Sequence, residues 1–330
     1  MLTTKDNIFY FIYLHRTGLT VTALSAVLLV WPLIESNPYN LGLSNLIAIY
    51  TMVVLGLNLF IGYAGQISLG HAAFFAIGAY GTAIGTTTLG GPAWPVMAAV
   101  ALIAAIVALA VGLPALKLSG HYLAMATLGF NIVIYTILVQ WDTVTGGPSG
   151  FSGIPYLSIG SVIFDNEIYF HYLVWSFAVL ALLLCLNLVR SGVGRGLAAL
   201  AEDETAASAL GVDIRRAKVK VFVLSAVLAS VAGSLFAHCY AFVSPDSFNI
   251  FVSVDFVIMV VVGGMGSIWG TLFGTALITL LPEWIEALEA FKDVIHGLIL
   301  VVILLFLPQG LVTGIVDAVR TKIALRRNHA

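Results

Sequence analysis

Ten apolar runs, each close to the length of a membrane-crossing helix, decide what this chain can become. They fall at about 18–34, 41–63, 66–90, 93–115, 121–141, 169–189, 218–242, 250–265, 267–281 and 294–312. A spanning helix needs roughly 20 predominantly apolar residues. Of the 330 residues, 60% are hydrophobic and only 9% are charged. Soluble domains carry about 25% charged residues. A water-soluble fold would not hide this much apolar surface, so the solvent is a bilayer, in which each segment must satisfy its own backbone. The expected fold class is an all-α polytopic membrane protein with about 8–10 transmembrane helices.

Three runs are unusual. Residues 66–90 are rich in glycine and threonine, and the short runs 250–265 and 267–281 meet at Gly263-Gly264-Met265-Gly266. Short, glycine-interrupted segments persist in membranes only where protein buries them or where they line a cavity. The segments Gly62-Tyr63-Ala64-Gly65-Gln66-Ile67 and Gly263-Gly264-Met265-Gly266-Ser267-Ile268 share the pattern G-x-x-G-x-I. A further glycine, small residues and a phenylalanine follow in each, which fits an internal structural repeat.

One stretch inside the oil is charged. Arg190 to Lys220 carries Arg190, Arg195, Glu202, Asp203, Glu204, Asp213, Arg215, Arg216, Lys218 and Lys220. Leu197, Leu200, Ala201, Ala207 and Leu210 fall near helical spacing, and Gly211 stands where a C-cap glycine would stop a helix. The reading is one or two short amphipathic helices outside the bilayer. Such helices gain little from propensity alone, so docking on a partner is expected. Its bland alternative is a solvated loop. With the N-terminus inside, Lys117, the 190–220 loop and the tail residues Arg320, Lys322, Arg326 and Arg327 all fall on the cytoplasmic side, as the positive-inside rule asks. The expected organisation is a cytoplasmic lead (1–16), one transmembrane domain (17–312) with a periplasmic loop at 142–168 and the cytoplasmic loop at 190–220, and a basic cytoplasmic tail (313–330).

Several function classes are excluded. The net charge of −2 gives no electrostatic footing for nucleic acid. Cys185 and Cys239 lie in apolar runs and suggest neither a disulfide framework nor a metal pair. No small-residue cleavage site follows the first apolar run before Trp31-Pro32, so no cleavable signal peptide is expected. No G-x-x-x-x-G-K-[ST], H-E-x-x-H or G-x-S-x-G occurs, so no resident ATP site, zinc-protease helix or nucleophile elbow is read. The chain is not expected to be an enzyme, and no cofactor or metal is expected.

Polar residues inside the runs are the pathway candidates. Gln66, Ser68 and His71 form one group; Asn58, Asn131 and Asp255 stand apart. Each has a plainer reading. The amides and His71 bond between helices in many bundles, and Asp255 lies near the outer end of its run, where water or a cap satisfies it. The glycines, including Gly266-x-x-x-Gly270-x-x-x-Gly274, read as sites of close backbone packing.

A resemblance covers about residues 40–312. The stretches GLNLFIGYAGQISLGHAAFFAIGAY (56–80), LSGHYLAMATLGF (118–130), TGGPSG (145–150), EDETAASALGVD (202–213), VVGGMGSIWGTLFG (261–274) and LPQGL (307–311) resemble the permeases of branched-chain amino acid ABC importers, LivM type. Glu204-x-Ala206-Ala207-x-x-x-Gly211 is similar to the EAA loop of importer permeases, with one residue inserted after the glutamate. The resemblance implies a second homologous permease, two cytoplasmic ATPase subunits that bind the ATP, and a periplasmic substrate-binding protein. It implies the bacterial inner membrane, with Glu202, Asp203, Glu204, Ala206, Ala207 and Gly211 contacting the ATPase. Permeases for urea or short amides resemble the same family closely, and a stand-alone secondary transporter or channel is the alternative from another class.

Overall fold

The computed structural model describes residues 20–35, 37–160, 162–284 and 297. The lead, the tail and all but one residue of the run at 294–312 lie outside the described residues. Twelve α-helices follow in order: α1 (Thr20–Ile34), α2 (Pro38–Asn58), α3 (His71–Thr87), α4 (Ala93–Ala115), α5 (His121–Gln140), the single turn α6 (Asp142–Thr145), α7 (Glu167–Arg190), α8 (Gly192–Glu202), α9 (Glu204–Ala209), α10 (Ile214–Tyr240), α11 (Ile250–Gly263) and α12 (Ile268–Trp284). A π-helical turn, Leu59–Tyr63, continues α2. Among the described residues, five segments are long and apolar enough to cross a membrane: Pro38–Tyr63, α4, α5, α7 and α10. With α3 and the shorter apolar helices α1, α11 and α12, they make an all-α polytopic membrane protein.

Helix starts follow local chemistry. Asn37, Asn166 and Asn249 cap α2, α7 and α11, accepting from backbone N–H groups two or three residues on at 2.9–3.2 Å. An asparagine at this position satisfies donors that the first turn leaves free. In α1, Pro32 has no N–H, so the Leu28 carbonyl loses its helical partner. His171 Nε2 of α7 donates to that carbonyl at 3.2 Å, and the Tyr172 hydroxyl donates to the Leu29 carbonyl at 3.2 Å. The bend-prone α1 is thereby tied to α7.

Two faces are defined. The amphipathic helices α8 and α9 join α7 to α10 at one face, the loop face. At the other, Phe151–Ser152 (β1) pairs antiparallel with Phe242–Val243 (β4), and Ser158–Ile159 (β2) with Val162–Ile163 (β3). His238 Nδ1 donates to the Pro155 carbonyl at 2.7 Å and Trp94 Nε1 to the Ser158 carbonyl at 2.7 Å, pinning the connection 142–168 over the helix ends. The connection is thus ordered by contacts within the chain itself.

The centre is α2, α3 and α10, with the most extensive helix contact between α3 and α10. They run parallel. A methyl at Gly78 would strike the Ser230 backbone, and one at Gly233 the Phe75 carbonyl. Thr82 Oγ1 donates to Ser234 Oγ at 2.7 Å. Small residues let the backbones approach, and dispersion and hydroxyl bonds then hold them, because lipid supplies no hydrophobic drive between helices. Phe75, Phe236, Phe248 and Phe256 close the core with edge-on ring contacts. By contrast, α4 and α5 expose apolar rows, among them Leu102, Ile103 and Ile106, and Met125, Val133 and Ile137.

Candidate functional site

The glycine-rich run from residue 66 is broken at its start, as its composition suggested. After the π turn the chain leaves helical geometry at Ala64, runs irregularly to Gly70, and starts α3 only at His71. Gly65 has φ +65°, where a side chain is strained, and a Cβ there would lie 3.2 Å from Ala201 Cα of α8. Within the irregular piece Gln66 and Ser68 are covered by protein, at 6% and 1% exposed, while Gly65 and Ile67 are exposed. Non-helical backbone inside a membrane requires such cover, because lipid offers no hydrogen bonds.

Most of its polar side chains are engaged with neighbours, although Gln66 Oε1 is buried without a hydrogen-bond partner. Gln66 Nε2 donates to the Ala64 carbonyl at 3.2 Å and, at a longer 3.4 Å, to Glu204 Oε1 of α9. Leu69 N donates to Thr127 Oγ1 of α5 at 3.0 Å, and Ala72 N to Ser253 Oγ of α11 at 3.1 Å. His71 sits between Ser68 Oγ, 3.2 Å from Nδ1, and Ser225 Oγ of α10, 3.0 Å from Nε2. The Ser225 hydroxyl donates to the Phe222 carbonyl at 2.8 Å, so its oxygen must accept from His71 Nε2–H. Nδ1 then accepts from Ser68, which assigns the tautomer from the network. Phe60, Phe74 and Phe222 ring the imidazole.

The second break is tighter. Only Gly264–Ser267 separate α11 from α12, and Gly266 has φ +76°. This break packs directly on the first: a methyl at Gly62 would collide with Gly266 N and with Asn58 Oδ1. Asn58 joins the two, accepting from Gly266 N at 2.9 Å and donating to the Ser267 carbonyl at 3.0 Å and Thr271 Oγ1 at 2.7 Å. Gly270 and Gly274 lie against Gly263 and Met259, so the G-x-x-x-G series packs within this chain as read from sequence.

The charged loop folds as two short helices. Ser191 caps α8, accepting from Val193 N and Gly194 N at 3.2 and 3.4 Å. Asp203 Oδ1 caps α9, accepting from Thr205 N at 2.7 Å and Ala206 N at 3.0 Å. The Ala206 N–H, then the Thr205 N–H, hold the Asp203 carboxyl below the ordinary carboxylate range. Leu210 and Gly211 end α9, and α10 already starts at Ile214, inside the expected loop. Glu204 Oε1 accepts from Lys218 Nζ at 2.6 Å; the lysine side chain is 5% exposed and the glutamate 43%. Toward solvent stand Glu202, Asp203, Ala206, Gly211 and Leu210, the last 80% exposed.

One expectation changes in this light. Ala207 is 1% exposed and packs on this chain's own body, so it does not present a face to a partner. Glu202 ends α8 and adjoins Asp203, the cap of α9. Of the pathway candidates, the structure joins Ser68 with His71 but turns Gln66 toward α9. Asn58, Ser68, His71 and Asn131 are each at most 1% exposed, so none borders open space. Both amide atoms of Asn131 lack a hydrogen-bond partner. Asp255 is half-buried in the second turn of α11. Sequence reasoning missed Lys218 as a buried cation, although its place at the head of an apolar run was the signal. It also missed Thr127, Ser225 and Ser253, ordinary helix-face hydroxyls that give no signal alone.

A bundle with two abutting helix breaks under an amphipathic extramembrane pair is the construction of a transport permease. The chain belongs to the family of permease components of branched-chain amino acid transport systems, whose model matches residues 39–304. It is 32% identical to the high-affinity branched-chain amino acid transport system permease protein LivM of Escherichia coli strain K12, over 90% of this chain and 75% of that protein. It is 26% identical to LivH of Salmonella typhimurium over 79% of this chain and 90% of the relative. Identity to BraD of Pseudomonas aeruginosa is 27%, over 79% and 91%. No solved structure matches.

Proposed function

We propose that this chain is a membrane-spanning permease subunit of an ATP-driven importer, moving branched-chain amino acids across a bacterial inner membrane. The observation that carries the reading is the α8–α9 pair, held by its inner face and bare on its outer one. Gly65 and Lys218 seat it from below, while Ala206 and Leu210 stand in solvent. A short, capped, rigid pair of this kind fits a groove on a soluble ATPase, whose closure would move it as a body. ATP binds in two such subunits and the chain carries no cofactor of its own. A second homologous permease completes the path, and a periplasmic binding protein delivers substrate to the face that β1–β4 cover. Both termini are cytoplasmic.

The relatives' names favour branched-chain amino acids over urea or short amides, and they favour a subunit over a stand-alone transporter. The bundle suits a zwitterion with an apolar side chain, because tight fixed charges at mid-depth would slow release. Ala206→Trp with Leu210→Asp is expected to leave the permease inserted but to release the ATPase subunits on purification. Retention of the ATPase with normal uptake would reduce α8–α9 to a solvated connection. Tag labelling that placed Lys117 or the tail outside would overturn the orientation.

A further inference from the structure

We infer that residues 64–72 are the strut that carries movement of α8–α9 to the transmembrane helices, and that Gln66, Glu204 and Lys218 are its positioning residues. The inference deepens the importer reading and rests on it. At the loop face the strut touches both amphipathic helices: Gly65 lies on Ala201 of α8, and Gln66 Nε2 is 3.4 Å from Glu204 Oε1 of α9. The same carboxylate oxygen accepts from Lys218 Nζ at 2.6 Å. Thus α9, α10 and the strut converge on one atom.

Deeper in the bundle the strut is bonded to three further helices. Its own backbone donates to Thr127 of α5 and Ser253 of α11, and Ser68 reaches Ser225 of α10 through His71. Ser225 lies eleven residues into α10, about 17 Å along its axis, so the strut rises well into the bundle. Because Gln66–Gly70 has no helical ladder, it can change shape without breaking a helix, which the rods around it cannot. Coupling between distant sites needs an element that both ends bias, and this one has bonds at both ends. Lys218, buried and fixed to α10, orients Glu204 toward the strut.

The test uses the whole importer, with partner permease, ATPase subunits and binding protein, in proteoliposomes supplied with labelled leucine. The reading is leucine moved per ATP hydrolysed, a ratio that loss of folded protein does not change. Lys218→Met and Gln66→Leu should each lower the ratio, the former by about fivefold or more, the lower bound of ordinary coupling free energies. The exchange Glu204→Lys with Lys218→Glu should recover most of what Lys218→Met loses. Wild-type ratios in both single variants would overturn the strut. A lowered ratio that the exchange does not recover would overturn the pairing of Glu204 with Lys218. Wild-type uptake independent of ATP would instead remove the importer reading, and the strut with it.

Discussion

The two helix breaks begin alike and end differently. Gly62–Ile67 and Gly263–Ile268 share a pattern, and the fourth residue of each, Gly65 and Gly266, turns with positive φ, +65° and +76°. After the first turn the chain wanders to Gly70 before a helix resumes; after the second, α12 starts at Ile268. Ile67 is 40% exposed, whereas Ile268 is 3% exposed. The second break is a packing device, made of glycines that let α11 and α12 close on each other. The first is a polar junction, made of side chains and free backbone donors that reach α5, α9, α10 and α11. One local pattern therefore fixes the turn, and the residues that follow decide what the turn is for.

The largest effect should come where the two meet. Gly62→Ala drives a methyl into Gly266 N and Asn58 Oδ1. Overpacking of this kind costs about 1–3 kcal/mol and occasionally more, and here the expected result is failure to accumulate as a monodisperse protein in detergent. Gly120→Ala, with nothing within 4 Å of its Cβ, is the control that bears backbone strain alone. Equal yields for the two would break the claim that the breaks abut.

Next comes the polar junction. Glu204→Ala leaves a Lys218 ammonium that is 5% exposed without its carboxylate. A buried donor so orphaned costs about 1–3 kcal/mol, toward the lower end because the glutamate is partly solvated. Lys218→Met removes the charge with its partner need and should be closer to neutral for stability. Thermal midpoints in detergent separate the two; the reverse order would argue against a buried cation. Asn58→Leu comes third. It removes three bonds, each worth about 0.6 kcal/mol in a membrane protein, and should lower the midpoint less than Gly62→Ala.

Smaller again, Gly65→Ala and Gly266→Ala should each cost about 1 kcal/mol from the left-handed backbone. Gly65→Ala should be the worse, since its methyl meets Ala201 Cα at 3.2 Å while that of Gly266 meets only the Gly62 carbonyl at 3.4 Å. The smallest effect is on the cap of α9. Because the folded Asp203 carboxyl sits below its ordinary range, its stabilisation is full above that range. It is lost as the pH falls through the folded value. Protease cutting near Asp203–Gly211 should rise on strong acidification and stay flat between about pH 6 and pH 8. Asp203→Asn should abolish the dependence.

Much of this was legible beforehand, for physical reasons. Length and apolarity announce a span because lipid leaves no other solution, and the α8–α9 pair announced itself by charge and by Gly211. The G-x-x-G-x-I pattern marked both turns. What the sequence hid is tertiary. Gln66, Ser68 and His71 lie five residues apart at most, so they read as one patch; only the bundle sends Gln66 to an acid 138 residues away. Ala207 looks no different from Ala206 in the string, yet one faces the protein and the other water. Nothing in the spacing of Ala64–Gly70 forbids a helix. In the fold the Leu69 N–H goes to the Thr127 hydroxyl and not to a helical carbonyl, and the Ala72 N–H, free in the first turn of α3, goes to Ser253.

The proline in α1 has a consequence for how the protein is made. The Leu28 carbonyl that Pro32 leaves bare is satisfied by His171, 143 residues later in the chain. At about 5–20 residues per second of synthesis, that donor emerges roughly 7–30 s after α1 does. Throughout that interval the first helix carries an unsatisfied acceptor in its second half, and a bare acceptor in hydrocarbon is costly. The ribosome therefore delivers α1 before its anchor exists.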